Sequence, residues 1–510
     1  MSSKQQFISG LSWNTATVVF QVIIQTVYTA ILARMVAPEA FAIMGIVLSL
    51  VGFAEIFSQV GIGPALIQKK EIHPQHLTGA FYTSLILGIL FTSAFVIAAP
   101  SIASWYNTPL LSPIISVTSL SFTLSALGVV PRNIILKKMK FREFFYCGMI
   151  SIIGGNLVVG LILAYYGFGV WAYVWALFAQ NALMTMSYWW FERISFPLFW
   201  KWSFTKDLIS YGASSTLFNA LNYAATKVDV TLLPKWSSTL PADNLASGME
   251  KAGWYERSAY VMSLPITIMA KLSDNVLFSG MSKMQDETAR LQRLILLSSH
   301  VLSIVIIPST VFISVFALPI ITIYLGQKYS SAAPVLAVLF FAIIFRSLSR
   351  LTDALLRAKN AVWKGVGYKL IYLFIMIIGV LASVRYGLII VAASIVFTTA
   401  IHYIMSVAMC NSLIQLNQFR LYSATRSGWI LGALSFTVLC PFLFENVMHS
   451  LPPLSILLIG AVVWISAMLA AVYIFPSLLR YENISLIDLL PLRIRQSAMF
   501  QKFNSNSKED

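Results

Sequence analysis

Apolar segments long enough to cross a bilayer recur along this chain, and that recurrence leaves few folds open to it. They fall at about 8–34, 39–66, 77–100, 109–131, 143–166, 169–190, 206–233, 253–280, 294–325, 332–357, 362–385, 387–411, 427–446 and 453–476. A helix needs about 20 predominantly apolar residues to span the hydrocarbon core, and helices satisfy every backbone polar group internally. The pattern predicts an all-α polytopic membrane protein with about 14 transmembrane helices. Composition agrees: 58% of the 510 residues are hydrophobic, 11% are charged, and the mean hydropathy is +0.79. The segments at 206–233 and 253–280 are less apolar than the rest.

Charge then sets orientation. The chain has 35 Lys and Arg against 19 Asp and Glu, a net charge of +16. In a soluble chain such an excess suggests nucleic acid; in a membrane chain it marks the cytoplasmic loops. With the N-terminus inside, 24 basic residues fall in inner segments, including the run Lys137, Lys138, Lys140 and Arg142, and only five in outer ones. Both termini are then cytoplasmic. Extramembrane mass is small, the longest outer loop running from 234 to 252, which leaves no folded soluble domain.

A weak internal repeat is visible. Phe41 aligns with Tyr255 and Lys69 with Lys283 at an offset of 214, and Tyr166-Gly167 with Tyr386-Gly387 at an offset of 220. Each matched pair is six helices apart, and an even shift preserves orientation. The expectation is two parallel six-helix lobes, 1–191 and 192–411, then two additional helices in 412–476 and a cytoplasmic tail, 477–510.

Candidate functional residues are those that resist this apolar background. The run Arg346-Ser-Leu-Ser-Arg350-Leu-Thr-Asp353-Ala-Leu-Leu-Arg357 places its four charges on one helix face. Arg357 reaches the surface, but Arg346 lies ~16 Å further along the axis, where a charge must face protein or water. Two arginines four apart suit phosphate or carboxylate oxygens. The alternative is that Asp353 neutralises Arg350 and the helix end lies shallower. Asn14, Gln21, Gln25 and Tyr28 form a polar stripe on the first helix; Ser215, Asn222, Thr226 and Asp229 form its equivalent on the seventh. They read as two walls of a central cavity, with interhelical hydrogen bonding as the alternative. Lys227 lies on another face, at the cavity edge or snorkelling outward.

Glu55 falls in the inner half of the second helix, where desolvation would raise its proton affinity and suit ion coupling. The alternative is a structural ion pair or a site near a headgroup. Glu256 with Arg257, and Lys271 with Asp274, read as an interfacial and a local pair. Cys147, Cys410 and Cys440 show no metal or disulfide spacing; His73 and His76 flank Pro74 in a loop and read as solvated. No phosphate loop and no HExxH occur, so no cofactor, metal site or catalytic residue is expected.

Several stretches resemble a known family. Phe53-Ala-Glu55-Ile-Phe-Ser-Gln-Val-Gly61-Ile-Gly63-Pro-Ala-Leu-Ile-Gln68 is similar to the second helix of bacterial polysaccharide exporters of the colanic-acid type. Trp105-Tyr-Asn107, Met139-Lys-Phe141, Tyr166-Gly-Phe-Gly-Val-Trp171-Ala and Gly253-Trp-Tyr255-Glu-Arg-Ser-Ala259 with Pro265 resemble further pieces in order, over about residues 5–410. The family is the polysaccharide transporter branch of the multidrug, oligosaccharidyl-lipid and polysaccharide flippase superfamily. The resemblance implies two six-helix lobes around a cationic cavity. It also implies movement of undecaprenyl-pyrophosphate-linked oligosaccharide across the bacterial inner membrane by alternating access. Arg346 and Arg350 would take the pyrophosphate; Asn14, Gln21, Gln25, Tyr28, Asn222 and Lys227 the sugars; Glu55 or Asp229 a coupling H+ or Na+. Partners would be the lipid-linked oligosaccharide, membrane lipid and polysaccharide-assembly proteins, with no nucleic acid. The loop 235–252 is longer than the family pattern, and suits contact with the glycan or a periplasmic partner. In a related lipid flippase two extra helices form a groove for the lipid tail. The rival readings are a small-molecule or multidrug cation antiporter, which prefers an acidic cavity, and a membrane glycan polymerase or ligase, which needs a larger outer loop.

Overall fold

In the computed structural model the chain is built from helices. The structure describes residues 3–59, 66, 73–194, 213–241, 246–444, 451–481 and 484–485. Helices occur at each of the apolar segments: α1 Ser3–Met35, α2 Pro38–Gln59, α3 Pro74–Trp105, α4 Leu111–Lys137, α5 Phe141–Ile152, α6 Leu161–Tyr165, α7 Val170–Phe191, α8 Ala213–Leu232 and α9 Gly248–Lys283, followed by α10 Thr288–Val315, α11 Ala317–Tyr324, α12 Ala333–Leu339, α13 Ala342–Ala358, α14 Val362–Ser383, α15 Leu388–Ile414, α16 Gln418–Leu439 and α17 Pro453–Ile474. Among the described residues ten helices are long and apolar enough to span a membrane, or up to eleven if one bent pair counts as a span. A two-residue antiparallel pairing, Arg480–Tyr481 with Ile484–Ser485, follows α17.

Three expected spans are interrupted. Between α5 and α6 the chain winds as a π-helix, Ile153–Gly160, with buried Asn156 inside it. At Phe316 the long segment divides into α10 and α11. The helical stretch Gln327–Leu339 and α13 meet at 47°. No proline causes that bend. The bond ladder tightens instead, with Phe341 N donating to Val338 O (3.1 Å) and Ile343 N to Phe340 O (3.1 Å). The outcome is that α13 is a separate 17-residue helix that carries the arginine stripe.

Two compact units emerge: residues 1–272 with 362–394, and residues 273–361 with 395–510. In the first, Tyr106 at the end of α3 donates to Thr231 O on α8 (2.9 Å), and Tyr223 on α8 donates to Leu48 O on α2 (3.0 Å). In the second, α10 packs along α16, with His300 Nδ1 2.9 Å from Ala424 O. Trp464 of α17 donates to Ser435 Oγ of α16 (3.0 Å). Such polar bonds are a substantial part of what holds apolar helices together in lipid, where apolar burial alone supplies little net gain. Only 11% of the apolar window of α3 and 17% of that of α17 is buried within the protein. Their outward Ile89, Leu90, Ile97, Leu458 and Val462 suit acyl chains.

Two local features bear on the expectations. The matched glycines Gly167 and Gly387 both take positive φ, 80° and 101°, and each ends a helical stretch. His76 is 6% exposed, not solvated as expected; its Nδ1 accepts from the His73 amide (3.1 Å) and closes the α3 N-terminus.

Candidate functional site

The second unit holds the arginine stripe. Along α13, Ala342, Ile343, Ile344, Leu348, Leu351, Leu355 and Leu356 are buried, while Arg346, Arg350, Asp353 and Arg357 form a less buried face. The opposite face is pinned to α15: Thr352 and Ser406 hydroxyls are 2.5 Å apart, and Thr352 Oγ1 is 3.1 Å from Cys410 Sγ. The helix is therefore fixed in rotation, and the charges cannot turn away. Arg357 Nε donates to Asp353 O at 3.3 Å. Arg346 is different: its Nε and Nη2 are buried without a hydrogen-bond partner among the described residues. A buried guanidinium donor without an acceptor is costly, and an incoming anion with several oxygens removes that cost.

The first unit holds the other candidates. The Asn14 and Ser215 side chains lie outside the described residues, as do those of Lys271 and Asp274. Gln21 is half-buried, as are Asn222, Thr226 and Lys227 on α8. Gln25 accepts from Asn156 Nδ2 at 2.8 Å. Tyr28 is 0% exposed, and its ring meets Tyr173 edge-on at 6.2 Å. Gln25 and Tyr28 thus tie α1 to its neighbours in this structure rather than lining an open wall. The physical reason is the π-helix, which turns Asn156 toward α1. Asp229 is also enclosed, at 1% exposure; it accepts from Tyr255 OH (2.9 Å) and from the Val230 amide (2.9 Å).

Glu55 stands in a different setting. It lines a cavity of about 220 Å³ in the first unit, together with Gly52 of α2, Thr118 and Ser121 of α4, and Asn181 of α7. Leu48, Val51, Val174, Leu177 and Phe178 complete the lining, so a few polar groups gather around the carboxylate in a largely apolar cavity.

Sequence reasoning misplaced or missed several buried charges. Glu256 and Arg257, expected at an interface, are 8% and 1% exposed and form a salt bridge, with Arg257 Nε 2.5 Å from Glu256 Oε2. The guanidinium lies 4.1 Å from the Phe41 ring centre and 4.7 Å from that of Tyr260. The signal was Gly253. A Cβ there would meet Pro38 O at 2.0 Å, so glycine lets α9 approach the start of α2 and carries Arg257, one turn on, over Phe41. Lys369 of α14 is 1% exposed among Phe218, Tyr368 and Tyr372, with ring centres 5.2–5.9 Å from its Nζ.

The family model described as a polysaccharide biosynthesis protein matches residues 31–334. The chain belongs to the polysaccharide biosynthesis protein family. Its motifs resemble the polysaccharide branch of the flippase superfamily, and the relatives agree. The lipopolysaccharide biosynthesis protein WzxC of Escherichia coli (strain K12) is 25% identical over 364 residues, covering 71% of this chain and 72% of that protein. The succinoglycan biosynthesis transport protein ExoT of Rhizobium meliloti (strain 1021) is 23% identical over 309 residues, covering 61% and 60%. The fold is similar to that of the lipid II flippase MurJ in an inward closed conformation. The TM-score is 0.68 at 15% identity, over 92% of this chain and 99% of that one. It is also similar to an inward-facing multidrug resistance MATE transporter of the MOP superfamily, with a TM-score of 0.62 at 14% identity, over 79% and 99%. The family member described here is thus a multi-pass membrane protein with a flippase-like fold.

Proposed function

We propose that this family member moves an undecaprenyl-pyrophosphate-linked oligosaccharide, a surface polysaccharide repeat unit, across the bacterial inner membrane by alternating access, driven by an ion gradient. The observation that carries the proposal is Arg346: Nε and Nη2 buried without an acceptor among the described residues, on a helix pinned in rotation, with Arg350 one turn on. A pyrophosphate supplies the missing oxygens in paired geometry. Family membership and a relative named as a transport protein support transport rather than catalysis. In this reading fourteen helices cross the membrane as two parallel six-helix lobes and two appended helices, and both termini are cytoplasmic.

Gln21, Asn222 and Lys227, with Asn14, serve the sugar hydroxyls. Gln25 and Tyr28 serve first as packing groups and join the sugar site only if α1 shifts. The coupling H+ or Na+ acts at Glu55 or Asp229; the cavity beside Glu55, with Thr118, Ser121 and Asn181 in its lining, supports Glu55. The extended loop 235–252 and polysaccharide-assembly proteins provide the outward contacts. One observation favours the cation-antiporter reading: the fold is also that of MATE transporters, and Asp229 is a buried carboxylate. An arginine stripe is a poor lining for a cation path.

The test is complementation in a strain lacking this protein. The unmutated chain should restore the surface polysaccharide, and Arg346→Ala, at equal membrane abundance, should not. Full restoration by Arg346→Ala sinks the assignment; a changed drug-efflux profile with unchanged polysaccharide favours the antiporter.

A further inference from the structure

Two depressions adjoin on the first unit where α3 begins and α4 and α7 end. One, of about 420 Å³, is lined by Leu127, Thr185, Met186, Trp189, Trp190 and Arg193. The other, of about 600 Å³, is lined by Pro74, Leu77, Ile134, Lys137, Lys138, Glu192, Arg193 and Ile194. Arg193 belongs to both. One slot is apolar and aromatic, the other basic, and a single guanidinium stands at their junction.

Their walls are held. Trp189 Nε1 donates to Leu127 O (3.0 Å) and Thr185 Oγ1 to Leu124 O (2.9 Å), which locks α7 to α4 beneath the aromatic slot. Buried Glu192 binds Lys138, and also Lys140 at 2.8 Å, so the one carboxylate among the slot's described lining residues is already engaged. Lys137 Nζ lies 3.4 Å from Leu66 O. Arg193 is exposed and makes no ion pair among the described residues; its guanidinium is 6.0 Å from the Trp190 ring centre. Among the described residues three lining cations, Lys137, Lys138 and Arg193, stand against one carboxylate that Lys140 also neutralises, which leaves the slot positive. Met186 and Trp190 remain 66% and 74% exposed, which suits acyl chains and not water.

We propose that this pair of slots binds one anionic phospholipid of the cytoplasmic leaflet, its phosphate between Arg193 and Lys137 and an acyl chain along Trp190 and Met186. The proposal goes beyond the transported substrate and rests on the inside assignment of the Lys137–Arg142 loop. Charge complementarity selects an anionic over a zwitterionic headgroup, and the adjoining apolar slot selects a lipid over free phosphate. The α3 N-terminus at Pro74 adds a favourable dipole. Such a lipid would hold α4 and α7 at the membrane surface.

Native mass spectrometry of the delipidated full chain, titrated with phosphatidylglycerol or phosphatidylcholine, tests this. Phosphatidylglycerol should bind at least about tenfold more tightly. Loss of one surface cation weakens anionic lipid by about fivefold, so Lys137→Gln with Arg193→Gln should weaken it roughly 25-fold and leave phosphatidylcholine unchanged. If that pair unfolds, Arg193→Gln alone should show the fivefold loss. Equal binding of the two lipids, or unchanged phosphatidylglycerol binding by Arg193→Gln, overturns the proposal. So does displacement of phosphatidylglycerol by equimolar undecaprenyl pyrophosphate, since the slot would then serve the transported lipid. Failure here leaves Arg346 untouched, because that residue lies in the other unit.

Discussion

The Glu256–Arg257 pair gives a prediction whose size follows from burial. Arg257 is 1% exposed, bonded to Glu256 and stacked over Phe41 and Tyr260. Glu256→Gln removes the counter-charge but leaves the guanidinium enclosed. Breaking a buried pair from one side costs about 3–5 kcal/mol, because the remaining charge is uncompensated. Arg257→Met leaves a carboxylate that escapes by protonation, so its cost should be smaller, about 2–3 kcal/mol. The double variant removes both charges. Its thioether still packs on the two rings, and the loss should be only the cation–π and bond energy, about 1–2 kcal/mol. Reversible unfolding in mixed dodecyl maltoside and SDS micelles gives all four stabilities. The expected coupling energy is about 3 kcal/mol or more in the sense that the double variant is less harmed than the sum of the two single losses. Additive losses, with coupling under about 0.5 kcal/mol, refute a desolvated pair and put water beside Arg257.

Two further outcomes follow from single contacts. Gly253→Ala should destabilise the protein by several kcal/mol and lower its unfolding midpoint, since its Cβ would press 2.0 Å from a backbone carbonyl that cannot yield. Thermal unfolding in detergent reads it, and a stabilised variant contradicts the close approach. Glu192 is pushed up by burial but held lower on balance by hydrogen bonds and charge from Lys138 and Lys140, so its carboxyl titrates below the ordinary carboxylate range. A lowered native pKa gives stability that is complete above the unfolded value near about 4.3, and that is lost as pH falls through the native one. The unmutated chain should therefore lose stability below about pH 4, and Glu192→Gln should remove that part of the acid dependence. Identical pH profiles would refute the bridging role.

Hydropathy alone located the helices, because continuous apolar runs of about 20 residues suit a spanning helix and not the shorter, alternating strand of a barrel. It also oriented the face of α13, since a helix period fixes which residues share a side. What it missed came from contacts between segments distant in sequence. The bend before α13 arises from tightened hydrogen bonds at Phe340 and Phe341, where nothing in the residue types signals a break. The π-helix at 153–160 holds Asn156, whose Nδ2 donates to Gln25, a contact between distant segments that hydropathy does not reveal. Glu256 and Arg257 looked interfacial because their depth was counted from a helix end, whereas Gly253 draws that end into protein. Arg346 was legible for a simpler reason: no neighbour on its own helix face compensates it at position i−4 or i+4.

The central claim is that Arg346 and Arg350 receive the pyrophosphate. It is tested most directly by transbilayer movement of lipid-linked oligosaccharide in proteoliposomes holding the purified chain. Each charge-assisted bond is worth about 1.5–3 kcal/mol, so Arg346→Ala with Arg350→Ala should slow flipping by at least about 100-fold while unfolding stability holds. Flipping by the double variant at the unmutated rate would contradict the account.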